Sequence, residues 1–70
     1  MVYFTDIFAT DHYIEEHQKD VPWNKVLEII HKTKNPRKKD DKFEIEYDGY
    51  YILFELENNI LYVINAKRTK

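Results

Sequence analysis

The chain has 70 residues, of which 43% are hydrophobic, 16% aromatic and 34% charged, with a formal net charge of −2 at pH 7. This length predicts one domain with a modest core, and the composition predicts a globular chain rather than a disordered one. The chain contains no cysteine, which excludes a disulfide framework and a thiolate zinc site.

Two short elements are predicted before residue 20. Residues 2–8, VYFTDIF, are β-branched and aromatic, which predicts a strand and differs from the basic start and long apolar run of a signal peptide. Thr10 is a suitable N-cap for a helix, and Asp11 suits the positive end of its dipole. We expect this helix to run from about residue 11 to residue 18, with three side chains along one face: Tyr13, Ile14 and His17.

A second and longer helix is predicted after Pro22, because proline can start a helix but cannot continue one. Apolar side chains follow at the i, i+3, i+4 and i+7 spacing of an amphipathic helix: Trp23, Val26, Leu27 and Ile30. The helix is expected to end near Thr33. After it, residues 34–41 (KNPRKKDD) are predicted to form a loop whose basic side chains are solvated or bind phosphate.

The clearest pattern lies after residue 41 and predicts three antiparallel strands joined by two tight turns. Residues 42–47 alternate polar and apolar, and Asp48-Gly49 is a preferred sequence for a type I′ hairpin turn. Asn58-Asn59 predicts the second turn, since asparagine tolerates positive φ. The resulting pairs bring apolar residues to one face: Tyr47 with Tyr50, Ile45 with Ile52, Phe43 with Phe54, Leu56 with Leu61, and Phe54 with Val63.

The opposite face of this sheet is predicted to be mixed. It carries Glu44, Glu46, Tyr51, Leu53, Glu55, Tyr62, Ile64 and Arg68. Its apolar residues are candidates for a homodimer or partner interface: Leu53, Tyr62 and Ile64. The predicted fold class is α+β in the order β-α-α-β-β-β, an antiparallel three-stranded meander plus an N-terminal strand, with two helices packed on one sheet face.

The sequence HYIEEH, residues 12–17, is close to the helical zinc motifs H-E-x-x-H and H-x-x-E-H. On a regular α-helix, residues five apart lie roughly 140° apart around the axis. His12 and His17 would then be unable to bind one tetrahedral zinc ion. We therefore predict no metal and no cofactor. We interpret His12 as a capping or packing residue, and His17 as either a part-buried packing residue or a general acid or base.

Three segments resemble the RelE/ParE toxin superfamily, in particular its small BrnT-type members and related short uncharacterised domains. Residues 10–12 (TDH) look like the T-x-H opening of the first helix in the uncharacterised relatives. His17, followed by residues 21–26 (VPWNKV), is similar to the BrnT pattern of a histidine, a turn and an amphipathic helix. Residues 60–70 (ILYVINAKRTK) look like the BrnT ending, with Lys67 where the family's arginine falls.

The resemblance implies one RelE/BrnT-like domain over residues 1–70. The lack of cysteine, of a signal-peptide pattern and of an apolar stretch long enough to span a bilayer predicts a cytoplasmic chain without a membrane partner. The resemblance also implies a metal-independent ribonuclease of the mRNA-interferase type, belonging to a toxin–antitoxin module, with RNA and an antitoxin as partners. His17 would then act as general acid or base, while Lys67 and Arg68 would stabilise the transition state. The residues expected to bind the nucleic acid are Arg37, Lys38, Lys39 and Lys70.

A second interpretation stays open, in which the RelE-like fold is non-catalytic and binds a protein or a nucleic acid. Glu16 stands where BrnT-type proteins usually carry a basic residue, and Asn65 stands where serine is common. The acidic balance of the chain also favours this non-catalytic binding role over a ribonuclease. Moreover, the predicted strand order places Lys67 at the far end of the sheet from Arg37, so the two basic segments are not expected to meet.

Overall fold

The computed structural model describes residues 4–33 and 35–69. Within them, the elements in chain order are β1 (Asp6–Ala9), α1 (Asp11–Glu16), α2 (Trp23–Lys32), β2 (Arg37–Lys39), β3 (Lys42–Tyr47), β4 (Tyr50–Glu57) and β5 (Ile60–Arg68). The strands form one five-stranded sheet in the order β1-β5-β4-β3-β2. Only β1 and β5 pair in parallel. The predicted α+β class is therefore confirmed, whereas the sheet is mixed and has one more strand than predicted.

The core lies between the two helices and one face of the sheet, which we call the covered face. The helical half of the chain contributes Tyr13, Val21, Val26, Ile29 and Ile30, and the sheet contributes Ile45, Ile52, Phe54, Leu61, Val63 and Ala66. The Tyr13 hydroxyl donates a hydrogen bond of 2.5 Å to the carbonyl of Val21 and so ties α1 to the start of α2. Hydrophobic burial on one sheet face is thus what holds the helices in place.

Both predicted hairpin turns are confirmed. Asp48 and Gly49 have φ of 51° and 82°, and Asn58 and Asn59 have φ of 54° and 64°. Two successive positive φ values define the type I′ turn, whose twist matches that of the flanking strands. The strand pairs predicted across both turns also form, including Ile45 with Ile52 and Leu56 with Leu61.

The segment predicted as a loop contains β2, which pairs antiparallel with β3. Its three residues are all charged and exposed, so neither hydrophobic alternation nor strand propensity indicated it. The contacts that define the strand lie across the sheet, where its backbone pairs with β3 and the Arg37 guanidinium binds the carboxylates of Glu44 and Glu46. Asp40, with φ of 56°, turns the chain back into β3. The loop prediction for residues 37–39 was wrong.

A β-bulge changes which side chains of β5 face the helices. Phe54 pairs with Val63, but Leu53 pairs with Asn65, so one extra residue stands in β5 between them. Because side chains alternate along a strand, one extra residue exchanges the faces of everything beyond it. Ala66 is buried in the core as a result. The predicted placement of Arg68 on the face away from the helices was wrong.

The first helix is shorter than predicted. Thr10 is its N-cap, as expected, and accepts a hydrogen bond from the backbone of Tyr13. The helix ends at Glu16, and His17 leaves it with φ of −126°. Ile14 is 47% exposed and does not join the core. The predicted N-terminal strand is observed over Asp6–Ala9, and its predicted residues 2 and 3 lie outside the described residues.

Candidate functional site on the open face of the sheet

The sheet face away from the helices, which we call the open face, has two chemically distinct halves. The apolar half lies across β1, β5 and β4 and consists of Phe8, Leu53, Tyr62 and Ile64. The charged half lies across β2, β3, β4 and the end of β5 and consists of Arg37, Glu44, Glu46, Tyr51 and Lys67. The described helices cover neither half, which makes this face the candidate site.

An aromatic pair forms the centre of the apolar half. The rings of Phe8 and Tyr62 stack with their centroids 6.2 Å apart and an interplanar angle of 28°. Phe8 is 48% exposed although it lies in a strand that pairs along its whole length with β5. Large exposed aromatic side chains on a rigid strand are typical of interaction surfaces.

The charged half is a continuous chain of contacts. The Arg37 guanidinium lies 2.6 Å from the Glu46 carboxylate and 3.1 Å from that of Glu44. The Tyr51 hydroxyl donates a hydrogen bond of 2.7 Å to Glu44. The Lys67 ammonium lies 5.3 Å from the centre of the Tyr51 ring. These contacts link β2 to β5 across β3 and β4, so Arg37 and Lys67 are connected through Glu44 and Tyr51 and do not contact each other in this chain of contacts.

The electrostatics of this half favour stable pairing over acid–base chemistry. Loss of hydration and the hydrogen bond to Glu44 raise the pKa of Tyr51 to about 12, so its phenol stays a proton donor at neutral pH. The hydrogen bond to Glu46 raises the pKa of Arg37. A guanidinium already bound by two carboxylates is a poor site for an additional phosphate group.

The predicted catalytic residues do not form one cluster. Arg68 donates a hydrogen bond of 3.3 Å from Nε to the carbonyl of Asp20. The amide of Asp20 in turn donates to the carbonyl of His17 at 3.0 Å, so Arg68 binds the turn that follows His17 on the helical side. Lys67 lies on the open face over Tyr51. The sheet therefore separates the third predicted catalytic residue from the other two.

The predicted nucleic-acid-binding residues are also divided. Arg37 is held by Glu44 and Glu46, as described above. Lys38 pairs with Phe43 and Lys39 with Lys42 along the sheet edge, and both are exposed. Lys70 lies outside the described residues. The three described residues alternate along an edge strand and do not share one binding face.

The two histidines of the HYIEEH segment lie side by side, which the sequence-based geometry excluded. The Nε2 atoms of His12 and His17 are 3.2 Å apart and their ring centroids are 5.0 Å apart. The prediction assumed a regular helix through residue 17. Because α1 ends at Glu16, His17 turns its ring back toward His12.

Phe8 and Asn65 are features of the open face that the sequence analysis missed. The sequence analysis placed Phe8 in a strand but did not predict which face of the sheet it occupies. The alternation of Ile7 and Ala9, both packed on the core, would have indicated that Phe8 points away from it. Asn65 lies at the bulge, and its Oδ1 atom is buried without a hydrogen-bond partner among the described residues.

Residues 4–33 and 35–69 contain no cluster of three or more His, Cys, Asp or Glu side chains placed to hold a metal ion. In the same ranges, neither helix has the length and apolar character needed to cross a membrane. Comparisons with protein-family models, with curated proteins and with solved structures find no match to this chain.

Proposed function

We propose that this chain is a non-catalytic, RelE-like module that binds another protein through the apolar half of its open face. The observation that carries the proposal is the stacked pair formed by Phe8, which is 48% exposed, and Tyr62, which is partly buried. Leu53 and Ile64 extend the apolar surface beside this pair and are partly buried. Aromatic side chains at the centre of an apolar patch are the residues that most often dominate the energy of a protein interface.

The charges around this patch indicate the chemistry of the partner. Glu55 and Glu57 lie on β4, opposite Tyr62 and Ile60 of β5. A partner surface with apolar side chains at its centre and Lys or Arg at its edge would cover the aromatic rings and pair with these carboxylates. The resemblance to toxin–antitoxin modules makes the protein encoded by the neighbouring reading frame the first partner to test.

The arrangement of the charged half supports binding rather than catalysis. Its strongest cation, Arg37, and its phenol, Tyr51, are each bonded to a carboxylate. A general base or a phosphate-binding group needs a free lone pair or an uncompensated charge at the reacting atoms. The contacts of this half instead connect β2, β3, β4 and β5 on one face, and such a preformed surface favours recognition.

The proposal is tested by measuring binding of the neighbouring protein with calorimetry and sedimentation velocity. We expect Phe8→Ser and Tyr62→Ser each to weaken the complex at least about tenfold, the effect of losing an interface residue worth about 1.4 kcal/mol. Tyr47→Ser is the matched control, because Tyr47 is an aromatic residue of similar exposure on the covered side of the sheet. No complex, together with a strictly monomeric chain, would contradict the proposal.

The second candidate function is the ribonuclease that the family resemblance implies. The observation in its favour is that Arg68 lies at the turn that begins with His17, while His12 contacts His17. Imidazole and guanidinium are the two groups that such a reaction needs, one to activate a 2′-hydroxyl and the other to stabilise the phosphorane-like transition state.

This second candidate is tested by incubating the pure chain with mRNA, with and without ribosomes. If the chain cleaves RNA, His17→Ala and Arg68→Ala are expected to lower the rate by at least about a hundredfold, the usual contribution of a positioned acid or base. Lys19→Ala is the control, since Lys19 is an exposed cation of the same turn region. Intact RNA under both conditions, and normal growth on expression, would exclude this function.

A further inference from the structure

The contact between His12 and His17 lies outside the open face and plays no part in the proposed protein interface. Both residues belong to the helical side of the molecule, one in the first turn of α1 and the other at its C-cap. His12 is exposed and His17 is partly buried, so solvent reaches the pair. Two imidazoles brought together at the surface need either a shared proton or a shared cation, because each presents a nitrogen lone pair when neutral.

We infer that His12 and His17 form a binding site for one first-row divalent metal ion of the Zn²⁺, Ni²⁺ or Cu²⁺ class. Their Nε2 atoms are 3.2 Å apart. Two nitrogen ligands on a tetrahedral ion, each about 2.0–2.1 Å from it, lie about 3.3–3.4 Å apart. The two Nε2 atoms therefore already stand at nearly the separation that such an ion requires.

The local backbone explains how two histidines five residues apart meet. On a continuous helix they would diverge, but α1 ends at Glu16 and His17 adopts φ of −126° and ψ of −21°. The amides of His17 and Gln18 both donate to the carbonyl of Tyr13, at 2.8 and 2.9 Å, which fixes this ending. Tyr13 itself is fully buried, so the turn is anchored in the core. The pair is consequently held by the fold and does not depend on a flexible segment.

The composition of the segment suits a transition metal better than a hard cation. Imidazole nitrogen is a preferred ligand of zinc, nickel and copper, whereas calcium and magnesium prefer oxygen. Acidic residues flank the pair in the sequence and favour a cation over an anion: Asp11, Glu15, Glu16 and Asp20. Since the described residues form no cluster of three ligands, water or a group from another molecule completes the coordination, as at open zinc sites.

The alternative is a direct hydrogen bond, in which one Nε2 carries a proton and donates it to the other. Metal binding requires that both Nε2 atoms be free of protons. The two states are distinguishable by adding the metal alone. Because the readout is binding and not activity, the outcome is independent of both proposed functions.

The experiment titrates the full chain with Zn²⁺. Calorimetry measures the binding, and NMR spectra report the imidazole signals. We expect the signals of His12 and His17 to shift together and those of His31 to stay in place. His12→Ala and His17→Ala should each weaken Zn²⁺ binding by at least about tenfold, since even residues that only orient a ligand contribute about that much. His31→Ala is the matched control, because His31 is an exposed histidine on α2 whose ring lies near Phe4.

Several results would overturn the inference. One is wild-type binding no tighter than that of His12→Ala, and another is an equal loss in His31→Ala. A shift confined to one of the paired rings would also contradict it, as would the absence of any shift at millimolar Zn²⁺. The NMR measurement on the wild-type chain needs no variant, so a substitution that disturbs the fold leaves the inference testable.

Discussion

The two faces of the sheet are built from alternate residues of the same strands, yet different forces act on them. On the covered face, Ile52 and Phe54 are fully buried under the helices. On the open face, the neighbouring Tyr51 and Leu53 are only partly buried, and Tyr51 is held by a hydrogen bond and a cation. Burial of apolar area is the dominant stabilising force in folding, whereas exposed ion pairs contribute little. The covered face therefore holds the fold, and the open face contributes less to its stability.

The largest expected difference between the faces is at two adjacent residues of β4. Phe54→Ala should lower the free energy of unfolding by about 3–5 kcal/mol, because it leaves a cavity in the core and removes the stacking on Phe43. Leu53→Ala should lower it by no more than about 1 kcal/mol, since its side chain lies on the open face. Urea denaturation measures both. Equal losses would contradict the assignment of the faces.

Two tyrosine hydroxyls, one for each face, sharpen the comparison. Tyr13→Phe leaves the Val21 carbonyl without its buried donor and should cost about 1–3 kcal/mol. Tyr51→Phe removes a partly buried donor from Glu44, which water can replace, and should cost about 0.5–1.5 kcal/mol. Thermal unfolding of the two variants compares them directly. A larger loss in Tyr51→Phe would mean that the open face contributes to the core.

The sequence predicted the part of the fold in which local and tertiary signals agree. The Asp48-Gly49 and Asn58-Asn59 turns tolerate positive φ, and the strand alternation has a period of two, so register and burial follow together. The edge strand β2 was missed because it is defined by contacts across the sheet, namely its backbone pairing with β3 and the ion pairs of Arg37. Charged residues carry no hydrophobic period from which such a strand could be recognised.

The candidate site was harder to predict, because two local irregularities determine it. The bulge in β5 moves Lys67 to the open face and Arg68 to the helical side. In the sequence, the bulge is indicated by the spacing of Val63 and Ala66, which lie three residues apart and are both buried. Likewise, the end of α1 at Glu16 brings His17 to His12. Neither a glycine nor a proline stands at this position to predict the end of the helix. Both effects depend on tertiary packing of the chain.

Alkaline pH gives a further way to separate the faces. The folded-state pKa of Tyr51 is raised to about 12 from its usual value of 10.0, mainly by loss of hydration. A raised pKa means that the stability due to this phenol is fully present below pH 10 and is lost as the pH rises toward 12. Unfolding measured across this range should show a smaller loss in Tyr51→Phe than in the wild type. Burial also raises the pKa of Tyr13, so part of the loss should persist in that variant.

If the wild type and Tyr51→Phe lost the same stability over this pH range, Tyr51 would have the same pKa in the folded and unfolded chains. Tyr47→Phe is a suitable control, because it also removes one phenol but leaves the bond between Tyr51 and Glu44 intact. Tyrosinate absorbance, followed over the same pH range, identifies how many phenols titrate late.

The smallest expected effect concerns the ion pair between Arg37 and Glu46 at the edge of the open face. A double-mutant cycle of Arg37→Ala and Glu46→Gln should give a coupling free energy of about 0.2–1 kcal/mol, because both side chains are about 60% exposed. The coupling should decrease in high salt, which screens exposed charges. A coupling above about 2 kcal/mol would make this pair a structural element of the fold. A small coupling would instead agree with an open face whose charges orient a partner and whose loss the core tolerates.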